Sequence, residues 1–296
     1  MIRASANLIR ARLSVVVPIQ HFGFTSAGMS SGVDLGTTER FDDTANTQTG
    51  RTATTARNRT TGFSFNNFGF TSCGRIDAAA TGIGTTERFS NIANTQTVRL
   101  SATSRFSPTG YSFNNFGFTS CGQSGASFFG TTERFDDTAN TWTGRLDATA
   151  RQGLAGYSFN NFGFTSCGFN GIGIGTTERF NDTTNTQTTR LNATARFGLA
   201  GYSFNNFGFT TCGFIAANTG LTEKFDDTAN TQTARLSATA RQWPTGYSFN
   251  NFGFSSCGSL DGTNGVGTTE RFDDTTNTQT GRTGATIRLM LAGYSI

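Results

Sequence analysis

Five cysteines occupy the same position in five copies of an internal repeat and are the first residues to consider for chemistry. They follow Phe-Gly-Phe-(Thr/Ser)-(Ser/Thr) and precede glycine; in the first copy of this motif Ala27 stands in place of cysteine. They are Cys73, Cys121, Cys167, Cys212 and Cys257. The Cα atoms of equivalent positions in adjacent repeats should lie farther apart than the roughly 7 Å that a disulfide can span. The sequence contains no C-x-x-C pair, so a structural zinc site is not expected. We expect buried thiols between repeats, with a ring of thiols facing a central channel as the alternative.

The chain contains a single histidine, His21. One histidine cannot supply a repeated site, and it rules out a multi-histidine metal centre; no His-based catalytic triad is expected either. We therefore predict a protein that is not an enzyme and that has no cofactor and no metal site.

Acidic residues also recur at fixed positions in the repeat. We expect the glutamates to form ion pairs with arginines between neighbouring units. These are Glu39, Glu87, Glu133, Glu178, Glu223 and Glu270, with Arg57, Arg105, Arg151, Arg196 and Arg241 as partners. Aspartate pairs precede a tight turn, where Asp commonly accepts hydrogen bonds from local backbone. The pairs are Asp42-Asp43, Asp136-Asp137, Asp226-Asp227 and Asp273-Asp274. Calcium is the alternative there, and Ser90-Asn91 argues against it by breaking the set.

The repeat that positions these residues has a constant part of 39 residues and one loop of variable length. The marker Gly-Thr-Thr-Glu, or Gly-Leu-Thr-Glu once, begins at Gly36, Gly84, Gly130, Gly175, Gly220 and Gly267. Successive spacings are 48, 46, 45, 45 and 47 residues, and the loops that precede the later markers hold 9, 7, 6, 6 and 8. A period of about 40 to 50 residues rich in β-forming and turn residues is typical of propeller blades.

The fourth copy shows how one blade is built. Tyr157-Ser158-Phe159 and Phe162-Gly163-Phe164 flank Asn160-Asn161, which suits a type I′ hairpin because asparagine tolerates positive φ. The pairing predicts one aromatic face and one small face, so that the small face admits the aromatic face of the next blade. Thr177 to Phe180 and the segment from Asn185 supply the third and fourth strands.

These residues resemble the kelch repeat. The family pattern has an arginine before the first strand, a Gly-Gly doublet closing the second, Tyr-Asp ending the third and Asn-Thr-x-Trp opening the fourth. The fourth copy offers Arg151, Cys167-Gly168, Phe180 with Asn181-Asp182, and Asn185-Thr186-Gln187-Thr188. The chain departs from the pattern in its Cys-Gly doublet and in having the tryptophan only once. The equivalent residues are Trp142, Gln48, Gln96, Gln187, Gln232 and Gln279. The resemblance covers nearly the whole chain and implies a protein-binding platform.

Both ends of the chain match parts of one blade. Leu291 to Ile296 match a first strand, and Gln20 to Phe24 resume where the Asn-Asn turn should stand. We predict an all-β, six-bladed β-propeller of four-stranded antiparallel blades over residues 20–296, closed by pairing of the two terminal strands. Residues 1–19 would then be an amino-terminal arm. Alternatively, Val15 to Ile19 provide the missing strand and the carboxyl-terminal strand inserts into a neighbouring copy.

Composition excludes several classes of protein. The net charge is +4, but most arginines recur at repeat positions, which argues against a nucleic-acid interface. No apolar run approaches a membrane span, and the run Val15-Val16-Val17 is too short for a signal-peptide core. Location stays undetermined; five unpaired cysteines favour a reducing compartment or an assembled particle.

The best pointer to function is the variable loop between the second and third strands. In copies three to five it is apolar, and exposed apolar residues clustered on one face indicate a partner surface. The residues are Phe128, Phe129, Phe169, Ile172, Ile174, Phe214 and Ile215. Folding of these residues over the blade ends is the alternative. We predict a non-catalytic scaffold or structural subunit that binds protein, or itself, through this face and the arm. A glycan-binding lectin or adhesin with repeated sites at the Asn-Asn turns is the second hypothesis.

Overall fold

The computed structural model describes residues 21–76 and 81–296, and all regular structure in these ranges is β. Six four-stranded antiparallel sheets account for the repeats. Their first strands contact one another in a closed cycle of six, so that the sheets form the blades of a six-bladed propeller around one axis. The predicted fold is confirmed. No helix in the described ranges is long and apolar enough to cross a membrane.

Each blade, numbered I to VI, runs from a first strand at the axis to a fourth strand at the rim. From blade I to blade VI, the first strands are Ala292–Ser295, Thr61–Phe65, Thr109–Phe113, Ala155–Phe159, Ala200–Phe204 and Thr245–Phe249. The second strands are Gly23–Ser26, Phe68–Ser72, Phe116–Ser120, Phe162–Ser166, Phe207–Thr211 and Phe252–Ser256. The third strands are Thr38–Asp42, Thr86–Ser90, Thr132–Asp136, Thr177–Asn181, Thr222–Asp226 and Thr269–Asp273. The fourth strands are Thr47–Arg51, Thr95–Arg99, Thr141–Arg145, Thr186–Arg190, Thr231–Arg235 and Thr278–Arg282. Two small hairpins, Met29–Ser30 with Val33–Asp34 and Gln123–Ser124 with Ser127–Phe128, lie in the variable loops of blades I and III.

The hairpin between first and second strands has the predicted register. In blade IV, Phe159 pairs with Phe162 and Tyr157 with Phe164. Asn160 and Asn161 adopt φ of 51° and 61°, the left-handed conformation that a type I′ turn requires. The Tyr157 and Phe164 rings stack with centroids 5.4 Å apart. One face of the hairpin is therefore a continuous aromatic surface.

The opposite, small face receives the aromatic face of the preceding blade. A Cβ added to Gly163 of blade IV would lie 2.2 Å from the Tyr111 ring of blade III. The same close approach recurs at Gly23, Gly69, Gly117, Gly208 and Gly253. The core accordingly sits in the seams between blades, where Tyr157, Phe159 and Phe164 of blade IV pack with Phe225 of blade V.

Polar side chains link the rims of neighbouring blades. Asn185 of blade IV, at φ 51°, accepts the backbone N–H of Leu146 of blade III at 2.9 Å. Gln187 donates its amide to the carbonyl of the same leucine at 3.4 Å. Trp142 makes the corresponding bond from its indole N–H to the carbonyl of Leu100 at 2.8 Å. Glutamine therefore retains the hydrogen-bond donor of the tryptophan while giving up its apolar area.

The ring closes in blade I, as predicted. Gly23 pairs with Ser295 and Ser26 with Ala292, and Phe22 and Ile296 exchange both backbone hydrogen bonds at 2.8 and 3.0 Å. The first-strand position is thus filled by the chain's own carboxyl end; Val15 to Ile19, the alternative for this position, lie outside the described residues. The predicted arm, residues 1–19, lies outside the described residues.

Candidate binding face

The variable loops and the connections between blades lie on the same face of the ring, because they hydrogen-bond to each other. Phe169 in the loop of blade IV pairs with Gln152 in the segment leading into that blade, through bonds of 2.9 and 3.0 Å. The Cys-Gly doublet turns the chain into this loop. Cys167 has φ 63° and Gly168 has φ 119°, both in the region that residues other than glycine rarely adopt.

A collar of six residues surrounds the axis on this face. Each lies just before a first strand, has positive φ, and donates its backbone N–H to the carbonyl of the preceding member at 2.6 to 3.2 Å. Met290 follows Trp243 and itself accepts from Arg59, so the six bonds form a closed ring. The members are Arg59, Ser107, Gly153, Gly198, Trp243 and Met290. The collar fixes the backbone around the channel mouth and leaves the side chains free to differ.

A cavity of about 110 Å³ opens at this mouth. The collar lines it together with the starts of the six first strands, including Thr61, Thr109 and Thr245. Trp243 lies across Gly153 and Gly198, where an added Cβ would come within about 3 Å of its ring. Two collar positions without side chains thus make room for the indole of a third.

Arg59 is the charged member of the collar. Its guanidinium lies over the rings of Phe106 and Trp243, at 5.4 and 5.7 Å from their centroids. Burial and the nearby Arg75 lower the pKa of Arg59 to about 10. Arg75 also lies over Phe106, at 5.6 Å. Two cations therefore share one side of the mouth.

Aromatic side chains form a continuous row from the mouth across blades III to V. We define the aromatic row as Phe128, Phe169, Phe197 and Phe214. Successive ring centroids along the row are 5.9, 5.1 and 5.4 Å apart. Phe197 also contacts Trp243 at 6.1 Å, which joins the row to the channel mouth.

The structure brings the predicted partner-binding residues together on this face. Ile172 and Ile215 are exposed at 70% and 49%, at the tips of their loops. The remaining five are half-buried, namely Phe128, Phe129, Phe169, Ile174 and Phe214. The phenylalanines therefore pack over the blade ends, while the isoleucines project outward; that this face binds a partner stays a prediction.

Sequence reasoning missed the collar side chains and Phe197. A signal for them was present: a buried arginine and a glycine five residues later are constant in every copy, and the collar position between them varies. It is arginine, serine, glycine, glycine, tryptophan or methionine. A position that varies between copies while its neighbours stay constant is not needed to build the blade, so its side chain is available to bind a ligand.

The five thiols are fully buried and none lines the cavity. Cys167 donates its S–H to the carbonyl of Thr194 in the next connection, at 3.5 Å. Burial raises the pKa of Cys121 and of Cys257 to about 11. The expectation of buried thiols is confirmed, and a ring of thiols facing the channel is wrong.

Each predicted glutamate pairs with a fully buried arginine. Arg151 lies 2.9 Å from Glu178, which also accepts the backbone N–H of Thr149 at 3.1 Å. The six pairs are Arg57–Glu87, Arg105–Glu133, Arg151–Glu178, Arg196–Glu223, Arg241–Glu270 and Arg288–Glu39. Their location corrects the prediction. The arginine leads into the blade whose third strand carries the glutamate, so that the pair ties a connection to its own blade.

The ion pairs between blades come from the second aspartate of the turn. Asp136 accepts the backbone N–H of Thr138 at 2.9 Å, as predicted for the first aspartate. Asp137 instead pairs with Arg88 and Arg99 of the preceding blade, at 2.8 and 2.7 Å. The aspartates that bridge seams are Asp43, Asp137, Asp182, Asp227 and Asp274. Among the described residues, no group of three or more His, Cys, Asp or Glu side chains is placed to hold a metal ion.

Comparison with known proteins supports the assignment of the fold and gives no information on the chemistry of this face. No protein-family model and no curated protein matches the chain. Among solved structures, YjhT matches with a TM-score of 0.73, at 10% sequence identity, over 88% of this chain and 97% of YjhT. At that identity the likeness shows the propeller fold alone.

Proposed function

We propose that this protein is a non-catalytic, kelch-like platform that binds a protein partner, as a scaffold or as a subunit of a larger assembly. The observation that carries the proposal is the aromatic row, four rings in contact across three neighbouring blades. It lies on the face where loop length varies and ends at the channel mouth. A contiguous apolar surface of this kind commonly marks a protein interface.

The exposed tips beside the row support the same function. Ile172 and Ile215 project from the loops of blades IV and V and are the residues that a partner would cover. The half-buried phenylalanines of the aromatic row form a rigid surface beside them, since their rings pack against one another. Aromatic anchors that need little ordering contribute strongly to protein interfaces.

The test compares three forms of the full chain by affinity capture from the native source and by mass measurement in solution. Replacing both Ile172 and Ile215 with Asp should abolish partner binding or self-association without lowering the thermal midpoint, since both side chains lie at exposed loop tips. Ile92→Thr is the matched control: Ile92 is 96% exposed, and the equivalent position in the other blades is threonine. Equal partner retention by all three forms would refute the proposed face.

The same proteins should be screened on a glycan array. Next to the Asn-Asn turns, the ring of the first residue of the second strand is already covered by a cation: the Arg179 guanidinium lies 4.4 Å from the Phe162 centroid. That contact leaves less of the ring for a sugar to stack upon. Binding of a defined sugar by a monomer would favour the lectin hypothesis over a protein platform.

A further inference from the structure

Two adjacent collar residues place polar groups without partners on the wall of the cavity. Ser107 is 5% exposed, and its hydroxyl has no hydrogen-bond partner within the described structure. The Nε of Arg59 is also buried and unpartnered, but it shares this state with most of the described arginines, so the Ser107 hydroxyl is the distinctive group. The two residues are joined directly, because Ser107 donates its backbone N–H to the Arg59 carbonyl at 2.7 Å. Groups of this kind cost free energy unless something binds them.

The charges around Arg59 indicate that a ligand at this position would be an anion. Sixteen ion pairs engage sixteen of the arginine and lysine side chains in residues 21–76 and 81–296. Arg59 has no carboxylate among the residues described, and its nearest charged neighbour is another cation, Arg75. Arg75 is engaged with the Asn58 side-chain oxygen at 3.3 Å. An anion at Arg59 would offset this repulsion.

The rest of the cavity wall combines threonines, among them Thr61, Thr109 and Thr245, with glycines and apolar residues. Trp243 and Met290 line the cavity together with Arg59, and Leu154, Leu199 and Leu291 also contribute to the lining. An arginine fork beside a hydroxyl matches the two oxygens of a carboxylate, and an indole beside them suits a flat apolar body.

We propose that the channel mouth binds a small carboxylate whose apolar body is flat. The Arg59 guanidinium and the Ser107 hydroxyl donate to its oxygens, and Trp243 and Met290 cover the body. The site adjoins the aromatic row through the contact between Phe197 and Trp243, but it uses none of the four residues of the row, so its binding of a carboxylate is tested independently of the proposed function.

Benzoate is the probe, and benzamide is its neutral control of the same shape. The chain has two tryptophans, so in a Trp142→Phe background the fluorescence reports on Trp243 alone. We expect saturable change with benzoate and at least tenfold weaker binding of benzamide. Titration calorimetry on the unmodified chain provides the second measurement.

Variants of the collar complete the test. Arg59→Met copies the residue found at Met290, which has φ 57° in the same collar, and should weaken benzoate binding roughly ten- to hundredfold. Ser107→Ala should weaken it by about three- to tenfold. Arg40→Gln is the control, since it removes another arginine without an ion pair, far from the mouth, and should leave binding unchanged.

Three results would overturn the proposal. These are benzamide bound as tightly as benzoate, affinity that is indifferent to Arg59→Met, and inorganic phosphate bound as tightly as benzoate. The last result would remove the role given to Trp243 and Met290. Should Arg59→Met fail to fold, the benzoate and benzamide comparison on the unmodified chain and Ser107→Ala still decide the question.

Discussion

At the scale of single residues, Asn91 interrupts a charge pattern that otherwise runs around the ring. Five seams contain an aspartate held by two cations of the preceding blade; for example, Asp227 pairs with Arg179 and Arg190 at 2.9 and 2.7 Å. At the seam between blades I and II the equivalent residue is Asn91. Arg40 and Arg51 form no ion pair with any described residue, and burial together with Arg51 lowers the pKa of Arg40. Asp42 acts in the opposite direction on the pKa of Arg40, but this seam lacks the bridging carboxylate that two cations hold in each of the other five.

Asn91→Asp should stabilise the protein by about 1 kcal/mol, because it supplies that carboxylate at a partly buried site. The change is measured as the free energy of unfolding in denaturant, at low and high salt. The gain should shrink as salt rises. Asp227→Asn is the reciprocal control and should cost about 1 to 3 kcal/mol. If Asn91→Asp proves neutral or destabilising at low salt, the two arginines are already satisfied.

At the scale of the blade, stability depends on one glycine facing one ring. Gly163 has no room for a side chain because the Tyr111 ring of the previous blade occupies the space. This contact and its five equivalents set the distance between blades. Six blades close without a gap because every seam repeats the same contact.

Gly163→Ala should destabilise the fold by about 3 kcal/mol, near the upper end of the usual cost of overpacking, since the ring must move and the seam must open. Gly144→Ala is the matched control. Gly144 lies in a fourth strand with nothing within 4 Å of an added Cβ, so its replacement should change stability by less than about 0.5 kcal/mol. Thermal and denaturant unfolding compare the two. Similar losses of stability from both substitutions would mean that the seams between blades can accommodate an added methyl group.

At the scale of the whole molecule, the chain is interrupted in blade I where the other blades have an Asn-Asn turn. Ile296 and Phe22 exchange backbone hydrogen bonds, like the residues that flank the turn elsewhere. The sheets do not require the interruption to lie in blade I, because the first and second strands pair in the same register with or without a covalent turn between them.

A circular permutant should therefore fold as well as the original chain. Ile296 is joined to Phe22 through Asn-Asn, and new ends are opened between Asn160 and Asn161, an exposed turn. We expect the same oligomeric state in solution as the unmodified protein and a thermal midpoint within a few degrees of it. Removal of residues 291–296 is the contrasting variant; it leaves the axial edge of the second strand of blade I without a partner and should cause association through that edge. An aggregated permutant would show that the native break point matters.

Much of the architecture could be predicted from local patterns. The aromatic and glycine alternation around Asn160-Asn161 specified the hairpin and its register, because side chains alternate across a strand. The count of repeat copies, with the matching ends at Gln20 and Leu291, specified six blades and the closure. The buried arginine and glutamate pairs were also accessible from their recurrence.

What the sequence by itself determined is the repeating unit and the way in which it stacks. Tertiary structure alone decided which variable positions meet at the axis. Arg59, Ser107 and Trp243 belong to blades II, III and VI and are far apart along the chain. No periodic signal relates them, because periodicity records what every blade shares. The channel mouth is formed only by the side chains in which the blades differ.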